Sequence, residues 1–366
     1  MSIQLPQFIE PDFSTDHFRN APDVSWKVVE KNCVAPDQYH ATSIFPEYYK
    51  LNGKWVLAEE SRMDCCVVIG EEERLKVIEL RHLKIGDRVI VGRTENGDDG
   101  IYLHEVPFME DKKKGESFSF RSGRSRETAF SKDYDSLYQL LEYEKENGKI
   151  VWVMGPACAF DADARSAMSN LIQRGYVHGI LAGNALATHD LEASYFGTAL
   201  GQHIYTQISH PFGHYHHLDL INEVCKSGSI DQFIRDHQID NGIIYSCWKK
   251  KVPYVLTGSI RDDGPLPGVI ANNYEGQSAM REMIKDATTV ICMATQLHTI
   301  AVGNMTPCFR VVNGTVRPLF IYSIDISEFA LNKLSDRGSL TAKSIVTNVQ
   351  DFVVMVDKGL QRLTQA

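Results

Sequence analysis

The sequence predicts a two-part α/β protein, with a small β-rich N-terminal domain followed by a largely parallel α/β domain. Three observations carry this expectation. Short strand-like runs punctuated by turn residues occupy Trp26 to about Phe108. A hydrophilic stretch, Glu110 to Lys132, then interrupts the chain. From Asp133 onward compact apolar runs alternate with helix-like segments, the pattern of a parallel sheet covered on both faces. The expected division is 1–132, a β-rich unit with a polar linker, and 133–366, the α/β unit.

The N-terminal strands are expected at Trp26-Lys27-Val28-Val29, Lys54-Trp55-Val56-Leu57, Cys65-Cys66-Val67-Val68-Ile69 and Arg88-Val89-Ile90-Val91. Asn52-Gly53, Ile85-Gly86-Asp87 and the run from Asn96 to Gly100 are turn signals between them, as in a compact antiparallel sheet. The basic runs Lys112-Lys113-Lys114 and Arg121 to Arg126 read as a solvated loop or, more sharply, as a loop closing over an anionic substrate group. Tyr134, Leu137, Tyr138 and Leu141 have helical spacing in a segment that ends near Asn147-Gly148. Buried strands are then expected at 150–154, 179–182, 242–245, 253–256, 289–293, 320–324 and 344–346.

Composition narrows the function. With 38 basic and 47 acidic residues, the net charge of −9 argues against nucleic acid or an anionic membrane as partner. No apolar run approaches the ~20 residues of a membrane helix. Met1 to Asp16 lacks a signal-peptide pattern, so a soluble, cytoplasmic protein is expected. The eight cysteines form no Cys-x-x-Cys pair and read as buried free thiols. Cys247, just after the strand expected at 242–245, could also be a nucleophile.

Open parallel sheets bind ligands beyond the carboxyl ends of their strands, so the residues following each strand are informative. After the first comes Gly155-Pro156-Ala157-Cys158, either a tight turn or a set of amides offered to a phosphate. After the second comes Gly183-Asn184-Ala185, leading to His189-Asp190, either a working pair or a helix start with Asp190 as cap. Gly213-His214-Tyr215-His216-His217 suggests a metal at first sight. Only His214 and His217 would share a helix face, however, so no metal site is expected. The segment from Thr257 to Pro267 is the densest candidate. Arg261 could pair with one of Asp262 and Asp263, leaving the other for a substrate ammonium, a ribose hydroxyl or proton transfer. Thr295-Gln296-Leu297-His298 follows the next strand, and Asp325 ends the one after. There an acid could hydrogen-bond the adenosine ribose and favour NAD over NADP, or simply cap a helix. Together these tips outline a Rossmann-like cofactor crevice.

Read together, Gly155-Pro156-Ala157, the run from Leu181 to Asp190, the run from Gly258 to Pro267, Ala294 to Met305 and Lys333 to Gly338 resemble the archaeal-type, NAD-dependent ornithine cyclodeaminases. A similar unit forms the C-terminal part of cyanobacterial arginine dihydrolase/ornithine cyclodeaminase proteins, although 366 residues are not expected to hold the dihydrolase domain as well. Val34 to Asp37 and Arg62-Met63-Asp64 resemble the small N-terminal domain named after the lysine-oxoglutarate reductase/saccharopine dehydrogenase (LOR/SDH) enzymes.

The resemblance implies a lyase of proline biosynthesis that works by internal hydride transfer. NAD⁺ takes hydride from Cα of ornithine, the δ-amine attacks the imine, ammonia leaves, and the cyclic imine is reduced to proline. It also implies cofactor contacts from Asn184, Ala185, Asp263, Thr295, Gln296, Leu297, His298 and Asp325. Where the family usually reads Val-Thr-Asp-Val, this chain has Val346-Thr347-Asn348-Val349, so Asn348 and Val349 would meet the cofactor without a charge. Asp262 and Asp263 are the candidates for holding ammonium groups and moving protons. Arg261 is a carboxylate clamp or structural partner, and His216 or His217 the acid for ammonia departure. Asp263→Asn is expected to keep the fold and sharply reduce turnover, and unchanged turnover would remove Asp263 from the mechanism.

The expected partner is a small amino-acid substrate, ornithine or another diamino acid, and the family resemblance makes a homo-oligomer the expected assembly. Two other readings share the crevice. An opine- or saccharopine-type dehydrogenase would show net production or consumption of NADH. A non-catalytic NAD-sensing module would bind cofactor and turn nothing over.

Overall fold

The computed structural model describes residues 5–108, 131–260, 262, 264–327 and 342–365, with the backbone alone for 131–133 and 342. The N-terminal region contains two antiparallel sheets, not the single one expected. In the four-stranded sheet the order is Ser25–Val28, Arg88–Val91, Cys66–Ile69, Leu75–Ile78. In the other, Glu47–Leu51 lies between Lys54–Leu57 and Ile101–Leu103. Asn52-Gly53 makes the tight hairpin its sequence announces, with φ of 48° and 78°, the left-handed pair of a type I′ turn. A second hairpin, Phe309–Val312 with Thr315–Pro318, lies outside the expected elements, although Asn313-Gly314 carries the same signal with φ of 51° and 76°.

The central sheet holds six parallel strands: β1 (Ile150–Met154), β2 (Gly179–Gly183), β3 (Tyr254–Thr257), β4 (Thr289–Met293), β5 (Phe320–Asp325) and β6 (Ala342–Val346). Their spatial order is β3-β2-β1-β4-β5-β6, and β1 pairs with β4 from Ile150↔Thr289 to Met154↔Met293. That is the doubly wound Rossmann order, in which the chain reverses direction between β1 and β4.

The inner strands β1, β2, β4 and β5 bury both faces by alternation. Ile150, Trp152 and Met154 face helices α1 (Ser131–Asn147), α2 (Ala162–Gln173) and α9 (Val349–Gln365). Val151 and Val153 face α7 (Asn273–Ile284) and α8 (Gln296–Met305). The N-terminal region packs on this second side. Ile44 clusters with Cys308 and Phe309, Arg81 Nη1 donates to Gln277 Oε1 (2.6 Å), and Arg281 pairs with Glu60 (3.7 Å). Four further helices carry the excursions: α3 (Asn184–Phe196), α4 (His216–Ser227), α5 (Ile230–Asp236) and α6 (Ile243–Lys250).

One expected strand is a helix. Gly242-Ile243-Ile244-Tyr245 enters α6, because the Asp190 carboxylate on α3 accepts the backbone N–H of Ile243 (3.0 Å) and of Ile244 (2.8 Å) and so caps the helix from outside. Four apolar residues fit either element, and here the tertiary cap decides. Cys247 therefore lies buried inside a helix, where burial pushes its thiol far up and disfavours the thiolate. Cys65, Cys66, Cys158, Cys292 and Cys308 are buried free thiols as expected, whereas Cys33 and Cys225 are exposed.

Candidate active site

A cleft of about 500 Å³ opens at the carboxyl edge of the sheet, over the switch point between β1 and β4. Its floor is Met154, Gly155 and Pro156 after β1. Gly155 N–H donates to Met293 O (2.8 Å), and a Cβ at Gly155 would lie 1.9 Å from Ala294 O, so only glycine lets the two tips touch. Phe160, Leu200 and Ile221 supply apolar wall.

Two helix N-termini face the cleft. Asn184 and Ala185 open α3, and Thr295 precedes α8; all three residues line the space. Neither helix has a side-chain cap, so its first-turn amides remain available to an anion. The Asn184 side chain is itself engaged. It donates to Gly264 O (3.2 Å) and accepts from Leu266 N (3.1 Å), fixing the Gly264–Leu266 loop over the cleft.

His298 reaches back from α8 to Thr257 Oγ1 (3.2 Å), also at the cleft. Burial pushes its pKa below the ordinary 6.5, which favours the neutral ring. A depressed folded-state pKa gives stability that is present above the unfolded value and lost as pH falls through the folded one. The thermal stability advantage of wild type over His298→Gln is therefore expected to shrink as melts move from pH 8 to below 6.5. A pH-independent difference would mean that the ring is already charged or solvated.

The remaining expected residues divide. Asp262 lines the cleft, but its carboxylate turns back to accept Ser259 N (2.8 Å). Arg261 and Asp263 lie outside the described residues, as does the basic loop 112–126. Gln296 and Leu297 are exposed on the first turn of α8 and do not line the cleft. Asp325 ends β5, one strand beyond β4, with its carboxylate accepting Ser327 N (2.9 Å). Asn348 caps α9 by accepting Gln350 N (2.8 Å), and Val349 is buried in the core.

The histidines separate. His214 packs on Tyr215 with ring centres 4.2 Å apart. His217 lines the cleft, and His216 does not: its Nδ1 meets Thr198 Oγ1 at 2.7 Å. Nor do His189 and Asp190 form a pair. Asp190 binds Arg165 Nε (2.8 Å) and caps α6, whereas His189 Nδ1 meets Glu192 Oε2 at 2.9 Å. Glu192 was not among the expected site residues. Its position three residues after His189, on the same helix face, was the available signal.

Fold and cleft define a Rossmann-type α/β protein with its cleft at the sheet's switch point. The chain belongs to the ArgZ-like C-terminal family: residues 137–356 match "Arginine dihydrolase ArgZ-like, C-terminal, Rossmann fold", and residues 46–129 match the first region of that C-terminal part. It is 36% identical over 349 residues to the ornithine cyclodeaminase of Methanocaldococcus jannaschii, covering 93% of this chain and 78% of the relative. It is 35% identical to the bifunctional arginine dihydrolase/ornithine cyclodeaminase ArgZ of Synechocystis sp., covering 94% of this chain and 47%, just under half, of that longer protein. The crystal structure of a conserved LOR/SDH protein from Methanococcus maripaludis superposes with a TM-score of 0.83 at 34% identity, over 94% of this chain and 99% of that one. The ternary complex of AgrE with ornithine and NAD⁺ superposes at 0.59 with 29% identity, over 94% of this chain and 47% of that one.

Proposed function

We propose that this chain is an NAD-dependent ornithine cyclodeaminase, converting L-ornithine to L-proline and ammonia. The observation that carries the reading is the cleft between β1 and β4, into which α3 and α8 both present uncapped first-turn amides. The names borne by relatives across more than nine-tenths of the chain support the same reaction.

The residues fit a dinucleotide. The amides of α8 would hold the pyrophosphate, and Gly155 removes the side chain that would keep the backbone away from it. Asp325 stands in the β4–α8–β5 half, where an acid would hold the adenosine ribose, and Asn348 follows the neighbouring strand. With the ribose held there, the reacting end of the cofactor would lie toward β1, β2 and β3. When bound, NAD supplies the hydride acceptor and, after it, the donor. The chain's own residues do the rest. The amides at Asn184 and Ala185 would take the substrate carboxylate, and Asp262 would turn from Ser259 N to face an ammonium. Phe160, Leu200 and Ile221 would keep water from the reacting carbon. Arg261 as carboxylate clamp and Asp263 as partner of ammonium or cofactor complete the proposal, as does the division of the chain at 132/133.

The test is to incubate the purified protein with NAD⁺ and L-ornithine and measure proline and ammonia together. Equal amounts of both, without net NADH, are expected. If neither forms while NAD still binds, the substrate assignment is wrong; net NADH points instead to a dehydrogenase.

A further inference from the structure

We propose that His189 moves the proton between the two substrate nitrogens, and that Glu192, backed by Thr198 and His216, positions it. This inference rests on the cyclodeaminase reading above.

The Glu192 side chain is fully buried, and four donors converge on its two oxygens: His189 Nδ1 (2.9 Å), Thr198 Oγ1 (3.0 Å), Gly201 N (3.0 Å) and Leu200 N (3.2 Å). A carboxylate can only accept, so Nδ1 of His189 must carry the hydrogen it shares with Glu192. Thr198 has a single hydroxyl hydrogen and spends it on Glu192. Its oxygen must therefore accept from His216 Nδ1–H, 2.7 Å away. The chain of bonds has one direction: His216 to Thr198 to Glu192, with His189 donating from the other side.

The consequence for His189 is a fixed tautomer. In the neutral ring, Nδ1–H bonded to Glu192 leaves the lone pair on Nε2, to which no described residue hydrogen-bonds. Phe160 packs edge-on against the ring (5.3 Å), and His189 lines the cleft. Of the other titratable groups there, His217 lies beside His189, with ring centres 6.2 Å apart. His298 spends Nε2 on Thr257, and Asp262 is turned into its own loop. The same carboxylate holds the backbone of Leu200, another wall of the cleft, so one buried group sets both the base and the wall beside it.

The reaction requires one internal proton transfer. When the neutral δ-amine attacks the α-iminium carbon, the new C–N bond leaves the δ-nitrogen as an ammonium and the α-nitrogen as a neutral amine. Nε2 takes one proton from the δ-nitrogen and returns it to the α-nitrogen. The Cα–Nα bond then breaks with its electron pair going to ammonia, and the δ-nitrogen lone pair forms the cyclic iminium. The imidazole ends as it began, and charge is conserved at every step.

The experiment uses the full chain and the variants His189→Asn and Glu192→Gln. His189→Asn is expected to lower kcat for proline formation by about 10²- to 10⁴-fold, with NAD⁺ affinity in the absence of ornithine unchanged. Glu192→Gln is expected to lower kcat by about 10- to 100-fold while KM for ornithine stays put. In ¹⁵N-histidine NMR of the cofactor-free protein, the signal missing in His189→Asn should report the Nδ1–H tautomer in the wild type and lose that purity in Glu192→Gln. Wild-type kcat in His189→Asn, an Nε2–H tautomer in the wild type, or a kcat loss in Glu192→Gln with the tautomer unchanged each overturns the proposal. Absence of proline from the wild type overturns the cyclodeaminase reading and this proposal with it. Proline from the wild type with His189→Asn unimpaired overturns the proposal alone.

Discussion

Gly155→Ala is expected to lower the stability of the fold by about 3 kcal/mol and to weaken NAD binding at least tenfold. The β1 and β4 tips touch here. An added methyl would sit 1.9 Å from Ala294 O, a backbone atom that cannot rotate away as a side chain would. The Ala294 N–H also donates to Ile324 O (3.2 Å), so moving that backbone disturbs β5 as well as β4. Strand separation at the switch point would change the floor of the cleft and the entry to α8 together. Gly264→Ala is the matched control. Among the described residues its methyl would meet nothing nearer than Ile221 Cγ2 at 3.7 Å, so stability should hold within about 0.5 kcal/mol. Urea unfolding and an NAD titration on both variants check this. A Gly155→Ala protein that melts and binds like wild type would mean that the two tips are not in contact.

Asp190→Ala should be the most destabilising of the side-chain truncations, at roughly 3–5 kcal/mol. Asp190 is fully buried and does two things at once. It pairs with Arg165, whose guanidinium also reaches Asp190 O (3.0 Å) and Ser194 Oγ (2.8 Å), and it accepts two amides at the start of α6. Truncation leaves a buried guanidinium without its counter-charge and α6 without its cap. Replacing Arg165 and Asp190 together by apolar residues should cost less than the sum of the single changes, because no lone charge is left inside. Denaturant midpoints of the two singles and the double measure this. A loss below about 1 kcal/mol in Asp190→Ala would show that water reaches the pair.

These two residues mark the limits of what could be read from the chain. The inner strands of the central sheet were legible because strands buried on both faces are short, continuous apolar runs. The Rossmann-like crevice was legible because glycine, asparagine, threonine and acids follow those runs. Asn184, Ala185, Asp262, Thr295 and His298 were placed at the cleft for the same reason, and they do line it. Asp190 was read beside His189, its chain neighbour, and that pairing failed. Successive residues on a helix point about 100° apart, so His189 turns to Glu192, and Asp190 turns to Arg165 and α6.

By itself the sequence determined what depends on period and local turn chemistry: the strand runs, the Asn52-Gly53 hairpin, the α/β class and the family motifs. Tertiary structure alone decided what depends on groups distant in the chain. It made 243–250 a helix through a carboxylate more than fifty residues earlier. It set His216 behind Thr198 and His217 at the cleft, and it aimed His189 through a buried glutamate. Periodicity reports which face of an element is apolar. Which partner satisfies a buried donor or charge is settled only when the elements pack, because an unpaired polar group inside the protein costs more than any local preference can return.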